Sequence, residues 1–149
     1  MKIKNLITYI SFLLISSIVS IAPLYAQEDA TRVVKERMNK FKISKKMMQI
    51  IHKFIQSEDF EKIEKSATTF YNWSKEMIKY FPEGSDIAPS KASADIWLDP
   101  EGFKKAVNNF ELASLKLINN SKEKDFDNTV DSFRSLAGTC KGCHQKFRN

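Results

Sequence analysis

Both cysteines of the chain, Cys140 and Cys143, stand three residues apart near its end, and His144 follows the second directly. Side chains at i, i+3 and i+4 of a helix project to one side. Cys140-Lys141-Gly142-Cys143-His144 would therefore present two thiols and an imidazole together. This is the Cys-x-x-Cys-His spacing of a c-type haem attachment site. Two thiols can add across the two vinyl groups on one edge of a porphyrin, and the next imidazole reaches under the ring to the iron, a metal that neutral imidazole suits. Gly142 leaves space within the motif, and Gly138, one turn earlier, would let the ring lie close to the backbone. Other chemistries fit less well. A redox pair would sit at a helix N-terminus, where thiol pKa values fall, whereas this pair lies at a C-terminal end. A zinc site needs four ligands. The other histidine, His52, falls on a different helix, and Cys143 and His144, being adjacent, could hardly chelate one tetrahedral ion. The motif implies one covalent haem c, with Cys140 and Cys143 as thioether anchors and His144 as the axial iron ligand.

Four helical segments must position that motif. Gly and Pro are scarce, four of each in 149 residues, strand signals are absent, and helical periodicity runs through most of the chain. The first segment spans about 29–56, with Val34, Met38, Phe41, Met48, Ile51 and Ile55 on one face, widened by Ile43, Met47, Ile50 and Phe54. The second starts near Ser57 as N-cap, with Glu58 and Asp59 in its first turn, and ends near Tyr80, since Phe81-Pro82 forces an extended residue. Residues 81–99 form a connection. Asp99-Pro100 opens the third segment, as N-cap and first helical residue. "NNSKEKD" is the next turn, and Asp125 caps the fourth segment. Its stripe runs from Phe126 through Val130, Phe133, Cys140, Cys143 and His144 to Phe147. The reading is an all-α, up-down-up-down four-helix bundle with covalently attached haem. The first turns of its first helix lie beside the last turns of its fourth. Phe54, Phe60, Phe70, Phe110, Phe126 and Phe133 are read as core, and Trp73 likewise.

The front of the chain reads differently. Lys2 and Lys4 precede an uncharged run, Leu6 to Ala26, broken late by Pro23 and ending in Leu24-Tyr25-Ala26. This is the layout of a secretory signal peptide over residues 1–26, with the bundle occupying 27–149. An uncleaved membrane anchor is the competing reading. The body is exported either way, and the periplasm is the expected compartment. Formal net charge is +6. Basic residues alternate with acids in "SEDFEKIEKS" and "NNSKEKDFDN", which reads as solvated helix faces rather than a nucleic-acid patch. No nucleophile–base pair, second metal cluster or phosphate loop argues for an enzyme.

The combination resembles the cytochrome c′ family, the class II c-type cytochromes. Besides "CKGCHQKFR" (140–148), "VVKERMNKFK" (33–42) resembles the family's first-helix signature, an Arg followed four residues later by the residue facing the iron. "ADIWLDPEGF" (94–103) resembles its entry to the third helix. The resemblance implies that Arg37 approaches a haem propionate, that Phe41 covers the distal side of the iron as an apolar lid, and that Arg148 flanks the proximal side. Phe147 stands where a Tyr is often found. A phenyl lid implies five-coordinate, high-spin iron that binds nitric oxide or carbon monoxide. It discriminates against oxygen, which wants a hydrogen-bond donor. The alternative is a low-spin electron carrier in which Met38, three residues before Phe41, is the distal ligand. His52, eleven residues beyond Phe41 and roughly 16 Å along the axis, is too distant to ligate. Trp97 is expected near the haem or the connection. Diatomic gases, a redox protein and a second copy of the chain are the expected partners, and a membrane only if the leader stays uncleaved. A haem-free helical interaction protein is the remaining class.

Overall fold

The computed structural model describes residues 22–149, with side chains from Asp29 onward. The expected leader over 1–26 lies outside the described residues except for its last five, which are helical backbone. The elements are α1 (Ala22–Gln56), α2 (Phe60–Glu76) continued by a 3-10 turn (Met77–Tyr80), the one-turn α3 (Asp95–Leu98), α4 (Pro100–Lys122) and α5 (Phe126–Phe147). The long helices α1, α2, α4 and α5 are the four members of the bundle. α1 begins seven residues before the expected Asp29, because Pro23 falls in its first turn, where proline is tolerated.

Local chemistry sets most boundaries. Asp99 accepts from the Gly102 N–H at 2.9 Å ahead of Pro100. A Cβ on Gly102 would stand 2.1 Å from the Asp99 carboxylate, so a larger residue there would make that side chain shift. Asp125 accepts from the Asn128 N–H at 3.0 Å. The second helix departs from expectation. Its cap is Asp59, which accepts from the Lys62 N–H at 3.2 Å. The Ser57 hydroxyl donates back to the carbonyls of Lys53 and Phe54, closing α1 instead, and Glu58 makes the turn with φ of 52°. The turn expected at 119–125 is also shorter. α4 runs on through Lys122, and Lys124 reverses the chain with φ of 55°.

The core lies where α4 packs against both α2 and α5. Phe70 of α2 meets Phe110 of α4 edge-on, with centroids 5.8 Å apart. Buried Ser114 and Ser121 donate to the carbonyls one turn back, at 2.7 Å each, which satisfies their hydroxyls inside the core. Phe54, Phe60 and Phe133 are half-buried, whereas Phe126 is 42% exposed. As the first residue of α5 it projects past the core, contrary to expectation. α1 is asymmetric. Ile51 and Ile55 are buried near its end, but Met38 and Ile43, expected on the same core face, are exposed. Over these earlier turns α1 is separated from α5 by a cavity.

Candidate functional site

That cavity has a volume of about 630 Å³, within the range of small-molecule sites, about 300–1,000 Å³. α5 contributes Cys140, Cys143 and His144 to its lining, α1 contributes Arg37, Met38 and Phe41, and the connection contributes Phe81 and Lys91. Phe70, Phe103 and Phe110 close its floor. One helix face thus presents both thiols and the imidazole to an apolar slot, as the i, i+3, i+4 spacing requires. Gly138 and Gly142 do not line it; both are exposed, and an added Cβ at either meets nothing within 4 Å. At about 100° per residue, each lies 200° around the helix from Cys140, on the outer face. The space expected from these glycines comes instead from the separation of α1 and α5.

Both thiols are free. Burial pushes the Cys143 thiol up to about 11, with Cys140 adding to the effect, and burial raises Cys140 as well. Neutral thiols in an apolar slot are poor nucleophiles and poor redox centres. Partial burial, helped by the charge of Arg148, holds the His144 imidazole below its ordinary pKa, so at neutral pH it keeps a lone pair for a metal. Among the described residues, no three His, Cys, Asp or Glu side chains converge to hold a bare metal ion. Two neutral thiols and a neutral imidazole along an apolar slot fit a flat, apolar, covalently attached macrocycle, so haem c suits this site.

Phe41 stands across from His144, ring centroids 6.4 Å apart. It is wedged by Trp73 at 5.7 Å and Phe81 at 6.3 Å, both edge-on. Trp73 packs in turn on Tyr80 at 5.1 Å, and its buried indole N–H has no hydrogen-bond partner. Met38 lines the same cavity and is 43% exposed. Met48 lines it too, while Met47 does not. His52 is exposed and stacks on Phe133 (6.4 Å, 23°), away from the cavity.

Arg37 is 2% exposed and makes contacts that sequence reasoning missed. Nη1 donates to the Tyr80 carbonyl at 3.0 Å and the Ser85 hydroxyl at 2.6 Å. Nη2 donates to the Ser85 carbonyl and, at 2.6 Å, to the Ser90 hydroxyl. The guanidinium lies 4.5 Å above the Phe81 ring. Burial lowers its pKa, an effect that Asp86 opposes. The connection is fastened at its other end to the chain terminus. Ala92 and Arg148 form an antiparallel bridge. The Ser93 N–H donates to Phe147 O at 3.0 Å, the Asn149 N–H donates to Lys91 O at 2.9 Å, and Lys146 pairs with Asp99. Arg148 is therefore extended rather than helical, exposed, and at the cavity rim. Trp97 donates its indole N–H to Phe81 O at 3.1 Å and holds the connection rather than lining the cavity. The small residues of "SDIAPS" give no periodic signal that could have announced any of this.

A family model described as Cytochrome C′ matches residues 32–148. A cytochrome c′ of Rhodospirillum rubrum is 39% identical over 69 residues, covering 46% of this chain and 47% of its own. The chain spans about half the length of the sequence relatives it matches. Among solved structures, cytochrome c′ from Rubrivivax gelatinosus superposes with a TM-score of 0.70 at 26% identity, covering 78% of this chain and 94% of its own. A nitric oxide complex of a cytochrome c′ variant from Alcaligenes xylosoxidans has a TM-score of 0.72 at 20% identity, covering 80% and 96%, a likeness of fold alone.

Proposed function

Since the chain belongs to the cytochrome c′ family, we propose that it is an exported, periplasmic mono-haem cytochrome that binds nitric oxide or carbon monoxide at an otherwise unligated face of its iron and can carry electrons. The family's cofactor is haem c. Cys140 and Cys143 would hold it, each S–H adding across one vinyl group so that sulfur bonds carbon and the proton ends on the neighbouring carbon. When bound, the haem supplies an iron that exchanges one electron and takes a diatomic ligand. His144 offers its neutral imidazole from the α5 side. The observation that carries the reading is Phe41, whose ring faces His144 across the cavity and is wedged by Trp73 and Phe81. A phenyl group cannot ligate a metal and offers no hydrogen-bond donor. It excludes water and favours ligands that need no donor. The nitric oxide complex of the Alcaligenes protein is in keeping with this.

A second reading rests on Met38. Its thioether is on the same cavity wall and is exposed enough to move. A methionine there would make the protein a low-spin electron carrier. Optical spectra of the ferric and ferrous protein, with and without nitric oxide and carbon monoxide, separate the two. The phenyl-lid reading expects high-spin ferric bands and new ferrous bands with both gases. A low-spin ferric spectrum, with a methionine-to-iron charge-transfer band that Met38→Ala abolishes, would overturn it. A haem stain on a denaturing gel tests the thioethers, since haem held only by His144 would be lost.

A further inference from the structure

The cavity lining contains five cations, Arg37, Lys42, Lys45, Lys91 and Arg148, and no acid. All but Arg37 are exposed, and none of the five makes an ion pair among the described residues. The bias extends along both flanking helices. Residues 37–57 and 132–149 together hold ten of the 24 Lys and Arg and none of the 18 Asp and Glu. The other 110 residues carry 14 cations against 18 acids. The two helix stretches that face each other across the cavity thus carry an excess of positive charge, while Glu83, Asp86, Asp95 and Asp99 of the connection add acids beside it without lining it. The two carboxylates of a bound haem could neutralise at most two of the five cavity cations. Between the exposed lysines, Met38 and Ile43 leave apolar side chains in solvent. An apolar centre inside a charged rim is the anatomy of a protein-binding patch.

We propose that this rim is the docking face for the acidic surface of an electron-transfer protein, which it draws to the haem edge. The inference rests on the haem reading above. A lipid surface fits less well. Interfacial helices bury a continuous apolar stripe with bulky aromatic side chains, whereas here only Met38 and Ile43 protrude between lysines. Like-signed charge focused at a cleft raises association rates about 10- to 1,000-fold at low salt and loses that advantage as salt rises. One electron would pass from the partner's reduced group to ferric haem, oxidising the first and reducing the second.

Stopped-flow reduction of the ferric holoprotein by the hydroquinone form of an acidic flavodoxin tests this between 10 and 500 mM salt. The second-order rate should fall at least tenfold with salt. Lys42→Glu/Lys45→Glu should lower the low-salt rate at least tenfold and flatten the salt dependence. Lys65→Glu/Lys116→Glu makes the same change in net charge on exposed residues toward the opposite end of the bundle, and should stay within about twofold of the parent. Equal losses in both variants, or a rate that rises with salt, would overturn the docking face. So would binding to anionic phosphatidylglycerol vesicles that Lys42→Glu/Lys45→Glu abolishes while the flavodoxin rate is unchanged. A chain without haem on the denaturing gel refutes the cytochrome reading instead. Calorimetric binding of the same flavodoxin, lost on charge reversal at Lys42 and Lys45 only, then still decides the docking face.

Discussion

Replacing Arg37 by Met keeps a stem of similar length and removes the guanidinium that fastens the connection to α1. The structure gives the size of the effect. Two carbonyls, Tyr80 and Ser85, lose their side-chain donor, and Ser85 is fully buried. Each buried acceptor left unpaired costs about 1–3 kcal/mol. The hydroxyls of Ser85 and Ser90 can rotate toward other partners, and the desolvated charge no longer opposes folding. The net loss should therefore fall in the lower half of the summed range, about 2–3 kcal/mol. For a domain of this size that lowers Tm by roughly 10 °C. Arg37→Lys should lose about half as much, because an ammonium reaches one or two acceptors but lacks the planar fork. Thermal unfolding by circular dichroism gives the global effect. Limited proteolysis should show new cleavage within 82–91, since the bridge at Ala92–Arg148 still holds the far end. If Arg37→Met melts within about 2 °C of the parent and the connection resists protease as before, Arg37 is not the fastening.

Two further outcomes follow from the same geometry. Phe41→Ala removes the ring facing His144, so carbon monoxide should combine with the ferrous protein at least tenfold faster. If instead the variant turns low-spin and Met38→Leu reverses it, Met38 takes the space that Phe41 denied it; an unchanged rate and spectrum would refute the lid. In the haem-free folded chain, Cys143 is raised to about 11 from its ordinary value of 9.0, so alkylation at pH 8 should be roughly a hundredfold slower than in the urea-unfolded chain. The folded state holds this proton more tightly. Its contribution to stability is complete below about pH 8 and lost as pH rises through 11. Equal alkylation rates in the two states would show that the thiol is not buried.

What could be read from the sequence was local. Asp99-Pro100 and Asp125 announce their helices because a cap needs only its own next three residues. Ser57 misled because two capping residues compete within three positions, and the winner depends on how α1 ends. The haem motif was legible because its three side chains share one helix face without help from any other element. Phe41 was reached through resemblance, but the rings that wedge it come from α2 and the connection, 32 and 40 residues further on. Arg37 illustrates the limit. Its four hydrogen bonds go to Tyr80, Ser85 and Ser90, across a segment with no periodicity to mark it. The charge pattern was equally hidden. "SEDFEKIEKS" and "NNSKEKDFDN" alternate in sign because they lie toward the end of the bundle away from the cavity. The two acid-free stretches are separated by 74 residues and meet only when α1 and α5 face each other.

On the proposed reading, the separation of α1 and α5 also bears on how the second face of the iron could be left to a phenyl ring. Phe81, Phe103 and Phe147 interlock edge-to-face at 4.9 and 5.3 Å, and Arg37 and the Ala92–Arg148 bridge pin the connection behind them. These contacts brace the walls around a cavity of about 630 Å³, whose apolar surface a bound group would cover. A macrocycle held without covalent bonds depends on axial ligation and apolar packing alone, as where a single proximal histidine holds it. On the proposed reading, thioethers at Cys140 and Cys143 would lessen that dependence. His144 would then bind on one side, and Phe41, wedged by Trp73 and Phe81, would serve as a wall instead of a ligand. Covalent anchoring on α5 and a phenyl wall on α1 would be compatible because a gap separates the two helices.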